Sequence, residues 1–211
     1  MTTPKTTFFV IRHGETHWNA DQRFQGYGDS PLTARGRSET QALGRRLKHI
    51  PFDRLISSDL GRAMETAHII AGHTGHALAV DSALRERNYG ELEGLTVPEI
   101  KSRYPAAYDR LLAGDPDYVI PGGESRQQQF DRNIVFFKAF VRENPGTTVA
   151  LVVHGGVLDS LFRFVADRPL DQPPCFVTVN SSLSIIAHGP FFFATRWMIQ
   201  TWGDVAHLEK L

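Results

Sequence analysis

Apolar and polar positions along this chain follow two different rhythms, and the switches between them mark the elements. Thr6 to Ile11 is a β-branched and aromatic run that predicts a buried strand. After a Gly-rich loop, Gln25-Gly26-Tyr27-Gly28-Asp29-Ser30-Pro31, Thr33 can cap a helix running to about His49. Its apolar face is Leu43, Leu47 and Ile50, at i, i+4 and i+7. Arg54 to Ser57 predicts a second strand. A helix from about Asp59 turns Ala63, Ala67 and Ile70 inward and stops near Gly72. Ala77 to Val80 predicts a third strand.

Between Glu86 and Gly123 the rhythm is lost. Gly and Pro punctuate the stretch, one short helical piece lies around Pro98 to Tyr108, and no sheet strand is visible. Such a stretch reads as a lid or binding excursion. Phe130, Ile134, Phe137 and Val141 restore the helical period, and Thr148 to Val153 predicts a fourth strand. Gly156 to Ala166 reads as a helix, with late strands at Leu183 to Ala187 and Phe192 to Ile199. The alternation predicts the α/β class, a three-layer α/β/α fold with a mainly parallel central sheet. No repeat or linker divides it, so one domain over 1–211 is expected, with the excursion at about 87–123.

Composition narrows the class. Lys plus Arg and Asp plus Glu are 23 each, a formal net charge of zero, which argues against nucleic-acid and membrane-surface partners. One cysteine, Cys175, excludes an intramolecular disulfide and fits a reducing compartment; with no targeting segment visible, a cytoplasmic location is expected. A lone cysteine is more often a small core residue than a nucleophile, and Cys175 is given no catalytic role. Nine histidines include no HExxH pair and no cysteine-rich pattern, so the sequence gives no positive evidence for a metal.

Chemistry gathers at the predicted strand ends. Arg12 and His13 follow the first, Ser57-Ser58 and Arg62 the second, Glu86 comes shortly after the third, and His154-Gly155-Gly156 follow the fourth. Each has an ordinary reading alone: Arg62 a first-turn helix residue, Glu86 part of a charged run, His154 a strand-end histidine. Together they describe a phosphomonoester site, because ligands of open α/β sheets bind beyond the carboxyl ends of the strands. Two guanidinium groups hold a phosphate dianion, a neutral imidazole can attack phosphorus, and a carboxylic acid can protonate the departing alkoxide.

The constellation resembles the histidine phosphatase superfamily, which includes cofactor-dependent phosphoglycerate mutases, over nearly the whole chain. Arg12-His13-Gly14-Glu15-Thr16 with Trp18-Asn19 is similar to its signature. Arg23-Phe24-Gln25-Gly26, Asp29 to Gly36, Ser57 to Ala67, Leu84 to Gly94, Val153 to Gly156 and Asp204 to Leu208 match further blocks. The resemblance implies His13 as phosphorylated nucleophile, Arg12, Arg62 and His154 as phosphate ligands, and Glu86 as general acid and base. It adds Asn19, Gln25 and Gly155 to the phosphate pocket, a phosphoglycerate mutase-like fold, and no cofactor. The small broad-specificity phosphatase branch is the nearest likeness, because Tyr104 to Pro121 is short and holds one arginine, Arg110. A phosphatase acting on a small phosphorylated metabolite is therefore expected ahead of a mutase, and well ahead of a non-catalytic phosphate-binding module. Arg87 and Arg103 leave carboxylate-bearing substrates open. Lid tyrosines Tyr89, Tyr104, Tyr108 and Tyr118, with Val119, could contact substrate but more often pack. The aromatic run Phe191-Phe192-Phe193 leaves open a homodimer interface or plain core.

Overall fold

A computed structural model describes residues 4–209, so the outermost residues of the expected domain, 1–3 and 210–211, lie outside the described residues. Among these residues six strands form one sheet: β1 (Thr6–Arg12), β2 (Arg54–Ser57), β3 (Leu78–Val80), β4 (Thr148–Val153), β5 (Leu183–Phe191) and β6 (Ala194–Asp204), in the order β3-β2-β4-β1-β5-β6. The first four are parallel to one another, and β5, antiparallel to β1, adds a hairpin with β6. The fold is thus three-layer α/β/α with a mainly parallel sheet.

Strand alternation sends successive residues of β1 to opposite faces. Phe8 and Val10 join Leu151 and Val153 against Phe137, Phe140, Leu158 and Leu161. Those partners come from α6 (Arg126–Glu143) and α7 (Gly155–Val165). Phe9 and Ile11 join Leu55, Ala150 and Val152 against Leu43, Leu47, Ala63 and Ile70. These belong to α2 (Ala34–Leu47) and α3 (Gly61–Thr74). Burial on both faces is why the central strands read as unbroken apolar runs.

Several boundaries differ from the sequence expectation. Thr33 caps α2 through its hydroxyl, but the helix ends at Leu47, and Ile50 packs from beyond its end. Helix α3 passes through Gly72 and stops at Gly75, whose φ of 75° supplies the left-handed turn that ends a helix at little steric cost. The short helical piece is two helices, α4 (Val97–Arg103) and α5 (Pro105–Leu112), because Pro105 bars a helical conformation at Tyr104. The aromatic run is no strand interior. Phe192, at φ 51°, turns the β5–β6 hairpin, and Phe192 and Phe193 are exposed. Cys175 is exposed and is not a core residue.

The excursion carries its own apolar cluster, with Leu92, Ile100, Ala107 and Ile120 buried among Phe24, Tyr89, Tyr104, Tyr108 and Tyr118. Most lid tyrosines therefore pack. Helix α1 (His17–Ala20) begins the loop below this cluster. Among the described residues no helix is long and apolar enough to cross a membrane.

Candidate active site

Strand β4 lies between β1 and β2, so three parallel strands end side by side on one edge of the sheet. Arg12 is the last residue of β1 and His13 the first beyond it; Ser58 follows β2 and His154 follows β4. Glu86 comes just after the 3-10 turn Ser82–Leu84 that succeeds β3. All five predicted catalytic residues meet around this edge, and four of them, Arg12, His13, Arg62 and Glu86, line one cavity of about 250 Å³.

His13 is 2% exposed. Its Nδ1 lies 2.8 Å from the Gly14 carbonyl, which can only accept, so the ring proton sits on Nδ1 and the lone pair on Nε2. Burial, then Arg62 and Arg12, push its pKa well below the ordinary 6.5, which keeps the imidazole neutral. The backbone fixes the ring's root, since His13 N donates to the Val153 carbonyl at 3.0 Å and Asn180 Nδ2 to the His13 carbonyl at 3.0 Å.

Arg62 Nε points at His13 Nε2 across 3.3 Å. Its other nitrogens donate to the Gly28 carbonyl at 3.0 Å and the Gly26 carbonyl at 2.8 Å. The Glu93 carboxylate holds that loop by accepting from Tyr27 N and Gly28 N, both at 2.7 Å. Gly26 permits this approach, because a Cβ there would lie 2.2 Å from Glu93 Oε1, and its φ is +56°. Helix α3 has no side-chain cap of its own; Asp29 Oδ1 reaches across to accept from Arg62 N at 3.2 Å. Burial depresses the pKa of both Arg12 and Arg62. A guanidinium nevertheless stays charged in proteins.

His154 accompanies His13 with ring centroids 5.2 Å apart. Its Nε2 meets Ser58 Oγ at 2.8 Å, and burial with Arg62, His13 and Arg12 keeps it neutral. Among the described residues, several buried polar atoms of this group have no partner: Arg12 Nε, His154 Nδ1 and Gln25 Oε1. The Asn19 amide oxygen accepts from Thr16 N, Thr16 Oγ1 and Asn180 Nδ2, at 3.2, 3.1 and 3.2 Å. Its NH₂ therefore remains as a donor on the cavity wall.

Glu86 is set by the start of α7. Its Oε1 accepts from Gln129 Nε2 and Arg87 N at 2.9 Å, and Gly156 N approaches both oxygens, at 3.1 and 3.0 Å. Gly156 must lack a side chain here, because a Cβ would fall 2.1 Å from Oε1. Gly155 stands beside Arg12 Nε and Glu86 Oε2. Tyr89, half-buried at the same cavity, has its phenol pushed up to about 12 by desolvation and by Glu86.

Sequence reasoning missed Gln129, Asn180 and the loop-holding role of Glu93. Gln129 had a signal: with Asn133 it is a buried polar position on the stripe of α6 that carries Phe137. Asn180 had none, since it arrives on an irregular loop. Arg103 is exposed, whereas Arg87 is buried near the site. Among the described residues no group of three or more His, Cys, Asp or Glu is placed to hold a metal ion.

The family description "Histidine phosphatase superfamily (branch 1)" matches residues 8–204. A probable phosphoglycerate mutase, GpmB, of Salmonella choleraesuis is 36% identical over 202 residues, covering 95% of this chain and 94% of the relative. The solved structure of YhfR from Bacillus stearothermophilus superposes with a TM-score of 0.86 at 35% identity, covering 97% of this chain and all of the other. A mycobacterial glucosyl-3-phosphoglycerate phosphatase does so with 0.80 at 30% identity, covering 95% and 99%. With the family match spanning nearly its whole length, this chain belongs to the histidine phosphatase superfamily and is an enzyme of its phosphoglycerate mutase-like group.

Proposed function

We propose that the enzyme hydrolyses small phosphomonoesters through a phosphohistidine on His13, without a metal. The observation that carries this reading is the neutral His13, its proton held on Nδ1 and its Nε2 lone pair facing Arg62 Nε beside Arg12. In the first step Nε2 forms a bond to phosphorus as the ester P–O bond breaks. The departing alkoxide takes the proton of Glu86. Gln129 Nε2 and Arg87 N donate to Oε1 alone while the Gly156 N–H is shared by both oxygens, so the transferable proton is assigned to Oε2, the less engaged oxygen, near Arg12 and Gly155. In the second step the Glu86 carboxylate takes a proton from water, the hydroxyl oxygen bonds to phosphorus, and the N–P bond breaks. Orthophosphate leaves, and His13 and Glu86 return to their starting states. Arg12, Arg62, Asn19, Gln25, His154 and Gly155 surround the transferring group, and the guanidinium groups offset charge on its equatorial oxygens.

A mutase reading is favoured by the relative named a probable phosphoglycerate mutase. Against it, the only arginine between Tyr104 and Pro121, Arg110, pairs with Asp115 and covers the Tyr118 ring rather than facing the cavity. Wild type and His13→Ala are to be compared on para-nitrophenyl phosphate and 3-phosphoglycerate, with rapid quenching in alkaline denaturant to trap acid-sensitive phosphorylation of the labelled enzyme. The expected result is phosphate release by wild type alone and a phosphoryl group on His13. Isomerisation outrunning release would establish the mutase, and phosphate binding without turnover a binding module.

A further inference from the structure

A second cavity of about 250 Å³ adjoins the first; Tyr89 lines both, and Gly155 and Gly156, which flank Glu86, form part of its wall. A leaving group protonated by Glu86 must sit beside that carboxylate, and this cavity is the space next to it. Its size falls below the about 300–1,000 Å³ of pockets for drug-sized ligands, so it suits a short skeleton.

The charges lining it are unusual for a surface cleft. Arg87 is 6% exposed, and its side chain donates only to the Glu124 and Tyr118 carbonyls, at 3.0 and 3.2 Å. Arg126 donates to the Leu170 carbonyl at 2.7 Å. Among the described residues neither guanidinium hydrogen-bonds to a carboxylate; Arg126 is half-buried, and for the buried Arg87 a desolvated cation without a paired carboxylate is costly. From α7, Asp159 reaches the same cavity; its Oδ2 accepts from Arg163 Nε at 2.8 Å, while the buried Oδ1 has no partner among the described residues. Thr178 adds a hydroxyl, and Pro174 and Phe176 an apolar wall. Among the described residues, two cations without a carboxylate hydrogen-bond partner and a carboxylate oxygen without a donor, around a small cavity, match a zwitterion.

Resting on the hydrolase reading, we propose that this cavity is the leaving-group subsite and selects phosphate esters of small hydroxy-amino acids, the carboxylate against Arg87 and Arg126 and the ammonium against Asp159. O-phosphoserine is the simplest such molecule; its hydrolysis consumes water and yields serine and orthophosphate.

The test measures kcat/KM on O-phosphoserine, 3-phosphoglycerate (carboxylate, no ammonium), phosphoethanolamine (ammonium, no carboxylate) and para-nitrophenyl phosphate. Wild type should prefer phosphoserine to both partial analogues by about tenfold or more, the scale of one charge-assisted contact. Asp159→Asn, which keeps an oxygen for Arg163, should level phosphoserine with 3-phosphoglycerate. Arg126→Gln should level it with phosphoethanolamine. Both variants should keep para-nitrophenyl phosphate turnover within about twofold. Turnover of para-nitrophenyl phosphate without a phosphoserine preference, or parallel losses on all four substrates in Asp159→Asn, overturns the subsite alone. Absence of any turnover overturns the hydrolase reading; calorimetric binding of L-serine in the presence of phosphate then decides the subsite by the same Asp159→Asn difference.

Discussion

Glu86 illustrates how much of a residue's chemistry is set by which of its atoms are already engaged. Gln129 and Arg87 N donate to Oε1 alone and Gly156 N is shared by both oxygens, which leaves Oε2 as the less engaged, working oxygen. Glu86→Gln should preserve those contacts through its amide oxygen while removing the transferable proton. Turnover of alkyl phosphates should then fall by about 10²–10⁴-fold, the usual contribution of a general acid, with phenolic esters much less affected. Steady-state rates across a series of leaving-group pKa values check this; equal losses throughout would remove Glu86 from the role. The identity of this glutamate was legible in the sequence as a carboxylate soon after a strand. Its working oxygen was not, because Gln129 joins it from 43 positions away.

At the level of elements, the start of α7 and the loop at Gly26 to Gly28 do comparable work from opposite ends of the site. Each brings backbone N–H groups onto a carboxylate, Glu86 in one case and Glu93 in the other. Each also needs a glycine where a Cβ would collide with that carboxylate. Gly156→Ala should displace Glu86 and reduce kcat by about 10²-fold, the typical effect of a misplacement near 1 Å. A cooperative unfolding transition unchanged within about 1 kcal/mol would show that the loss is one of position. Helices α2 and α6 were legible from their apolar periodicity, and β1, β2 and β4 from unbroken apolar runs. The ends of α3 and of the late hairpin were misread, because Gly72 and Gly75 look alike in sequence. A left-handed backbone at Phe192 has no sequence mark either.

For the whole molecule, burying two neutral histidines beside arginines couples folding to pH. His13 and His154 both have pKa values pushed well below 6.5 by burial, whereas in the unfolded chain they titrate near about 6.5. Below that pH the unfolded state binds more protons, so stability falls as pH falls through about 6.5, by up to about 1.4 kcal/mol per pH unit for each histidine. Denaturant unfolding of wild type between pH 7 and pH 5 should show this decline, and His154→Gln should flatten it. His188 and His207, also depressed by burial, contribute equally to both proteins, so the difference isolates His154. An unchanged slope would mean that His154 carries its proton in the folded state.

The sequence by itself determined the family, the α/β alternation and the residues gathered at the strand ends. Those depend on local period and on motifs of adjacent residues, which a chain displays directly. Only the tertiary structure decided that Arg62 Nε faces His13 Nε2 and that Glu86 is set by Gln129 and Gly156. The same holds for the grouping of Arg87, Arg126 and Asp159 around one cavity. Each of these joins atoms from distant segments, and such contacts exist only once the sheet has brought its strand ends to a common edge.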